Sequence, residues 1–376
     1  MRTNIEIVID QQSWQTSRPQ FRKVCPFPQT TMTSAVNFGR AMLWVGMMSV
    51  SPRMPQWWAA SLWAVYRYFA AVDDKVPELR LHESIEDIDT NPKKVLSDDW
   101  GTGVAVEWLD SQFQYQYVGH GRNTMLELER QGLTAYVGKK KRGPQKCPDF
   151  FCIDPAGRYH LIECKGNQSG PVASADQFVQ GKLQKANIWF TNEQVVSQRL
   201  VTGLAIANPK SKWKTQLAVI DPPPDDVEAV PHVLVQVEEP EKVLTALKQV
   251  ACLDGLLLAG YFGLARKVLP DSERVKRLPD APDHPHRTFE TARAEWRGQI
   301  YTANFPVPIK TFAGEEIAGI SVRFGVSPNF LETSAVRPPV WNELDLRIRR
   351  GNQSPEFQRR SVIGYGDTFI AEVELL

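Results

Sequence analysis

The sequence predicts a mixed α/β protein with a central αβββαβ domain, a helical N-terminal region and a β-containing C-terminal domain. Three observations predict this class: a length of 376 residues, hydrophobic spacing that alternates between helix and strand periods, and a local reversal of charge. With 42% hydrophobic and 23% charged residues, the composition excludes a disordered or collagen-like chain. The formal net charge of +1 excludes a uniformly basic nucleic-acid binder.

Residues 1–95 are predicted to form the helical N-terminal region and an acidic connector. The stretch PQWWAASLWAVYRYFAAV indicates a buried helix that ends near Asp73. Arginines and prolines interrupt the apolar residues around it, so no run is long enough for a membrane-spanning helix. From Asp73 to Asp110 there are eleven acidic and four basic residues, a balance typical of an exposed connector.

The central domain, residues 96–275, is predicted from periodicity to alternate between helix and strand. In chain order we expect a helix over 102–116, strands over 133–138, 148–154 and 159–166, a helix over 175–190, and strands over 200–208 and 215–221. A long helix that begins near Glu241 and breaks near Gly255 follows.

The last predicted domain, residues 276–376, begins with the Pro- and His-rich stretch LPDAPDHPHR, which is typical of a linker. Three segments beyond it, QIYTANFPVPIKTF, EIAGISVRFGV and TFIAEVELL, have the alternation of strands. We therefore expect an accessory domain that contains a β-sheet.

Asp149, Glu163 and Lys165 form the grouping most indicative of chemistry. Asp149 begins one predicted strand, and Glu163 and Lys165 lie two residues apart on the strand that follows the turn PAGR. Side chains two residues apart in a strand share a face, so Cys164 points to the other face. Pairing across the turn brings the two carboxylates and the ammonium together.

This grouping suits metal-assisted hydrolysis of a phosphodiester. Mg²⁺ or Mn²⁺ prefers oxygen ligands, which Asp149, Glu163 and the backbone carbonyl of Cys164 supply. Lys165 would orient the attacking water or help to deprotonate it, and would offset negative charge on the phosphate. The expected cofactor is therefore Mg²⁺ or Mn²⁺.

The motif Pro148–Asp149 followed by Glu163–Cys164–Lys165 resembles that of the PD-(D/E)xK nuclease superfamily, which has the restriction-endonuclease-like fold. The resemblance covers roughly residues 98–225, and the predicted order of elements is similar to that of the family. It implies a metal-dependent DNA endonuclease in which Asp149 and Glu163 are metal ligands and Lys165 is the catalytic lysine.

The resemblance also implies roles for residues on the flanking helices. Glu107 occupies the place of the family's helix-borne acid and would complete the metal shell. Gln177 and Gln180 would belong to the glutamine-bearing helix seen in several branches of the superfamily. A role in prokaryotic anti-phage, restriction or mobile-element systems is the biological expectation that the resemblance carries.

The basic surface is predicted between Gly138 and Thr215, where thirteen Lys and Arg residues oppose five acidic ones. Such a local excess indicates a surface that faces phosphates. The residues expected to bind nucleic acid are Lys139, Lys140, Lys141, Arg142, Gln177, Gln180 and Lys182. For the run from Lys139 to Arg142, simple solvation is an equally open interpretation.

Two other functions stay open. One is a nucleic-acid-binding or assembly subunit that uses the nuclease fold as a scaffold. An alternative for the residues themselves is that Glu163 and Lys165 form an ordinary ion pair and Asp149 caps a turn. A nuclease directed at RNA would use the same residues as one directed at DNA. His120 and Arg122 either contact phosphate beside the site or belong to an ordinary loop.

The expected surroundings are reducing and cytoplasmic. The five cysteines are an odd number, the N-terminus has no secretory pattern, and Cys147, Cys152 and Cys164 lack the paired spacing of a zinc site. Expected partners are DNA and either an activating protein or a second copy of the chain, since cutting both strands normally needs two sites. No membrane partner is expected.

Overall fold

The computed structural model describes most of the chain as helices and strands joined by short turns. The described residues are 2–15, 23–48, 68, 71–73, 76–136, 147–174, 177–179, 181, 188–221, 233–278, 283, 287–291, 294–310, 316–336, 339–341, 343–350 and 359–376. The α-helices are α1 (Phe38–Met48), α2 (Thr90–Phe113), α3 (Gly121–Arg130), α4 (Pro240–Leu258), α5 (Phe262–Val268) and α6 (Pro328–Val336).

The strands form three sheets. They are β1 (Arg2–Ile9), β2 (Thr31–Asn37), β3 (Tyr117–His120), β4 (Thr134–Tyr136), β5 (Phe150–Ile153), β6 (Tyr159–Asn167), β7 (Ile188–Phe190), β8 (Val196–Ala205), β9 (Gln216–Ile220), β10 (Val233–Val235), β11 (Arg287–Thr291), β12 (Ala294–Lys310), β13 (Glu316–Val326), β14 (Ile348–Arg350), β15 (Arg360–Tyr365) and β16 (Phe369–Leu375). Mixed α/β architecture is therefore confirmed.

The central sheet has seven strands in the order β2-β1-β9-β8-β6-β5-β3. Strands β3, β5 and β6 are antiparallel neighbours, and β6 runs parallel to β8. A parallel pair needs a crossover connection over one face of the sheet. The described residues 173–174, 177–179 and 181 of that connection are helical, which places helical structure between β6 and β8.

Helix α2 packs against one face of the central sheet at two glycines. An added Cβ at Gly166 would lie 1.7 Å from the carbonyl oxygen of Ser97, and one at Gly101 would lie 2.4 Å from that of Lys165. On the other face, Gly203 contacts the ring of Phe178 in the crossover. The end of β6 therefore lies between two helical layers, and close backbone approach fixes its position.

We expect Gly101→Ala to lower the free energy of unfolding by about 1–3 kcal/mol, because the new methyl group has no space against β6. Urea denaturation measures this change. Val95→Ala, at an exposed position of the same helix, is the control and should change stability by less than about 0.5 kcal/mol. Equal stability of the two variants would contradict the close packing of α2 on β6.

The C-terminal sheet has six strands in the order β11-β12-β13-β16-β15-β14, as predicted for a β-containing region. It packs on the central region: the ring of Phe369 lies against Gly255 of α4, and Ser361 donates a hydrogen bond to Asn37 at 2.8 Å. One cluster of buried apolar side chains continues through both regions. A small third sheet, β4-β10-β7, completes the architecture.

The description of residues 1–95 as a helical region is wrong for β1 and β2. Strand β1 pairs with β9, so the N-terminal residues complete the same sheet that contains β5 and β6. The acidic stretch is not a simple connector either, because α2 begins at Thr90 and buries Glu107 and Asp110. The helix predicted for PQWWAASLWAVYRYFAAV, residues 55–72, falls almost wholly outside the described residues.

Three predicted elements differ from the structure. The predicted strand 133–138 contains β4, which belongs to the small sheet. The strand that lies beside β5, on the side away from β6, is instead β3. Residues 188–190, predicted as helix, form β7. The long C-terminal helix breaks after Leu258 rather than at Gly255, where Gly260 adopts a positive φ of 84°. No helix among the described residues is long and apolar enough to cross a membrane.

Candidate active site

The candidate site lies where β5 and β6 separate. Pairing between these strands begins at Phe150 opposite Ile162, so residues 163–167 of β6 extend beyond β5. Asp149 immediately precedes β5, and its Oδ2 accepts a hydrogen bond from the Cys164 N–H at 2.8 Å. Because the N–H and C=O of a strand residue point to the same edge, the Cys164 carbonyl also lies on the edge where Asp149 sits.

Glu163 and Lys165 share a face of β6, as predicted, and their side chains form an ion pair. The Glu163 side chain is 0% exposed, whereas that of Lys165 is 21% exposed. Glu163 Oε1 accepts from Lys165 Nζ, but Oε2 has no hydrogen-bond partner among the described residues. A buried carboxylate oxygen without a donor is costly unless a cation or water satisfies it.

Burial shifts the pKa values of all three side chains of the site. Burial and the neighbouring Asp149, opposed by Lys165, together raise the pKa of Glu163 to about 8. Burial also raises the pKa of Asp149, against the Cys164 N–H and Lys165. Burial lowers the pKa of Lys165, but Glu163 outweighs it, so the net shift is upward and the ammonium stays charged.

These residues fit a divalent metal with oxygen ligands. Asp149, Glu163 and the carbonyl of Cys164 provide hard oxygen atoms at one strand end, and the unpartnered Glu163 oxygen is available as a ligand. Within the described parts of the chain, no three His, Cys, Asp or Glu side chains are grouped closely enough to hold a metal. Mg²⁺ tolerates such a site, since it is commonly held by one or two carboxylates and keeps several waters.

Gln177 anchors the end of β6 from the crossover. Its Nε2 donates to the Gly166 carbonyl at 3.0 Å, and its Oε1 accepts from Asn167 at 3.2 Å. On the side of α2, Gln168, which directly follows β6, donates to Ser97 of that helix at 2.8 Å. The prediction that Gln177 binds nucleic acid is therefore not supported by its contacts, because its amide holds the strand that carries Lys165.

Glu107 does not lie at this site, contrary to the prediction. Its Oε2 is 2.9 Å from Nη2 of Arg40 on α1, and Asp110 binds the same nitrogen at 3.2 Å. Burial raises the pKa of Glu107 to about 8, opposed by Arg40. The residue belongs to a buried charge cluster between α1 and α2.

Asp98 is the acidic residue of α2 that approaches the candidate site. It precedes Glu107 by nine residues, or about two and a half helical turns, so the two side chains lie on opposite sides of the helix. Partial burial raises the pKa of Asp98, and Lys94 and then Lys165 oppose this shift; its charge in turn raises the pKa of Asp149. The helix predicted over residues 102–116 does not include Asp98, whereas α2 begins at Thr90. Pro92 is the sequence signal for this earlier start, because proline is favoured in the first turn of a helix.

We expect Asp98→Asn to lower metal-dependent cleavage by about tenfold or more, and Glu107→Gln to leave it within about twofold. Asp98 adds negative charge beside Lys165 and Asp149, whereas Glu107 contacts Arg40 in the interior. Initial cleavage rates at saturating Mg²⁺ measure both effects. If Glu107→Gln lost activity and Asp98→Asn kept it, the original assignment of Glu107 would be restored.

Six of the seven residues predicted to bind nucleic acid lie outside the described residues, so their role stays a prediction: Lys139, Lys140, Lys141, Arg142, Gln180 and Lys182. The cysteines Cys147, Cys152 and Cys164 are reduced. Burial, followed by the charges of Asp149 and Glu163, raises the pKa of Cys147 to about 12.

Comparison with family models, with curated proteins and with solved structures finds no match for this chain.

Proposed function

We propose that this protein is a metal-dependent nuclease that hydrolyses phosphodiester bonds of DNA at Asp149, Glu163 and Lys165. The observation that carries the proposal is the convergence of these residues where β5 and β6 separate, with a buried Glu163 oxygen that lacks a hydrogen-bond partner. The two acidic side chains and the Cys164 carbonyl would hold Mg²⁺ or Mn²⁺.

Asp149 and Lys165 would have different roles in the hydrolysis. A bound Mg²⁺ would activate a water and polarise the phosphate. Asp149 is held beside the strand end by the hydrogen bond that its Oδ2 accepts from the Cys164 N–H. Because Lys165 stays charged, it acts as a donor to the attacking water or to a phosphate oxygen rather than as a general base.

The order of elements also supports the proposal. Helix α2, strands β3, β5 and β6, the helical crossover and the parallel strand β8 are similar to the αβββαβ elements of the PD-(D/E)xK superfamily, with α3 and β4 inserted between β3 and β5 and β7 inserted before β8. The acidic pair and the lysine lie at the strand ends that the family's motif uses. Asp98 would take the place that sequence alone gave to Glu107.

A second candidate function is a nucleic-acid-binding or assembly subunit that uses the same fold as a scaffold. The direct ion pair between Lys165 and Glu163, together with the lack of a three-carboxylate group in the described residues, favours this alternative. RNA is the alternative substrate of the nuclease, since phosphodiester hydrolysis uses the same side chains. Cutting both strands of DNA would further require two sites, as a homodimer provides.

The test is a cleavage assay on supercoiled plasmid, linear duplex DNA, single-stranded DNA and single-stranded RNA in Mg²⁺, Mn²⁺ or EDTA. We expect metal-dependent cleavage of DNA and none in EDTA. Cleavage of RNA alone would change the substrate class. Binding of these substrates without cleavage in any metal would favour the scaffold function.

A further inference from the structure

The N-terminus of α3 lies directly against the candidate active site. The Gly121 N–H donates to the Asp149 carbonyl at 2.7 Å. An added Cβ at Gly121 would lie 1.8 Å from the Pro148 carbonyl oxygen, so only glycine allows this approach. His120, the N-cap residue, makes no capping hydrogen bond with its side chain. Helix α3 has ten residues, and its positive end lies against the backbone of Asp149, just before β5.

Several buried polar atoms near this first turn lack partners in the described part of the protein. Arg274 is 5% exposed and pairs with Asp254 through Nη2, but its Nε and Nη1 have no hydrogen-bond partner. Thr124 Oγ1, within the first turn, and His120 Nδ1 are also without partners. Arg274 lines a small cavity together with Asn123 of the same turn.

The charges around this turn are positive. Arg122, its second residue, is exposed, whereas Arg274 lies beneath the surface. Burial, followed by the charges of Arg274 and Arg122, lowers the pKa of His120 to about 4. Arg122 also opposes the upward pKa shift of Cys147, two residues before Asp149. The first turn of α3 therefore brings positive charge next to Asp149, with Arg122 at the surface and Arg274 buried.

We propose that Arg122, in the first turn of α3, binds a phosphate of the nucleic acid next to the phosphate that is cut, and that the buried charge of Arg274 supports this contact without touching the phosphate. The inference rests on the proposed function and identifies how that site holds its substrate. Arginine suits such a contact because its planar N–H groups match phosphate oxygens. Without a metal, the carboxylates repel the phosphates of the nucleic acid. A positively charged subsite next to them would therefore determine which phosphate lies at the carboxylates.

The test is fluorescence anisotropy in EDTA, which prevents metal-dependent cleavage. The probes are fluorescein-labelled duplex DNA, single-stranded DNA and single-stranded RNA of about 20 nucleotides, a length chosen to cover a typical site. We expect Arg122→Ala to weaken binding about tenfold and to reduce the salt dependence of duplex binding by about 0.9, the value for one lost phosphate contact. Arg287→Ala, an exposed arginine of the C-terminal sheet, is the matched control.

Removal of Arg274 needs a compensating change, because Asp254 would otherwise be left without its partner. The double variant Arg274→Gln with Asp254→Asn keeps the pair neutral, and thermal melting confirms that it folds. Relative to Asp254→Asn alone, we expect it to raise KM with kcat changed less than about threefold, as a positioning role requires. Equal KM values for these two variants would remove Arg274 from the subsite and leave a water-filled cavity only.

The outcomes separate this inference from the proposed function. If the wild type cleaves DNA but Arg122→Ala binds with the affinity and salt dependence of Arg287→Ala, the phosphate subsite is contradicted and the proposed nuclease activity is not. If binding depends on Arg122 but no metal supports cleavage, the nuclease activity is contradicted and the phosphate subsite is not. A wild type that binds none of the three probes overturns the subsite.

Discussion

Lys165→Ala should lower the metal-dependent cleavage rate by about 100- to 1,000-fold, the usual effect of losing one preorganised charge at a reacting centre. The substitution removes the cation that lies beside Glu163 and would contact the water or the phosphate. It should leave the fold intact, since the lysine side chain is partly exposed. Single-turnover cleavage at saturating Mg²⁺ measures the loss.

The matched control for Lys165→Ala is Lys210→Ala. Lys210 is also ion-paired with a glutamate, Glu86, but it lies at the surface far more exposed. Its removal should change cleavage by less than about twofold, because exposed ion pairs contribute little. Equal activity of the wild type and Lys165→Ala would assign Lys165 to a structural ion pair and exclude it from catalysis.

Glu163→Gln should abolish cleavage and flatten the pH dependence of stability measured in EDTA. The pKa of Glu163 is about 8 in the folded protein, above its ordinary value of 4.5. The folded state therefore keeps its proton while the unfolded state loses it, and the free energy of unfolding falls as pH rises from about 4.5 to about 8. Above that range the contribution is constant. The slope is up to about 1.4 kcal/mol per pH unit, and glutamine removes it.

Glu107→Gln is the matched control for Glu163→Gln. Its pKa is also raised to about 8 by burial, so this variant should flatten the stability curve similarly while cleavage continues. Urea denaturation at several pH values, paired with cleavage rates, distinguishes the two residues. If Glu163→Gln cleaved DNA like the wild type, Glu163 would not be a metal ligand whatever its effect on stability.

Much of the central sheet was predictable because its strands have clear local patterns. The hairpin of β5 and β6 has buried apolar runs on either side of PAGR, and this local pairing placed Asp149 near Glu163 and Lys165. Strand β1 was missed because its place depends on pairing with β9, some 200 residues away in sequence, and β2 joins the sheet only through β1. Local periodicity carries no information about such a partner.

The helix-borne acid could not be assigned from spacing alone. Glu107 and Asp98 both lie on α2, and the choice between them depends on which face of the helix meets β6. That face is set by the backbone contacts of Gly101 and Gly166, which only the packed structure reveals. The structural role of Gln177 was missed for the same reason, since its partners lie at the end of β6.

The most direct test of the proposed site is Mn²⁺ binding by isothermal titration calorimetry. We predict that the wild type binds Mn²⁺ at Asp149 and Glu163 with an affinity that rises about tenfold per pH unit between pH 6 and 8, because Glu163 releases its proton on binding. Asp149→Asn and Glu163→Gln should each weaken binding at least about tenfold, whereas Glu290→Gln, on β11, should not. Equal Mn²⁺ binding by the wild type and Glu163→Gln, or no binding by either, would contradict the metal site.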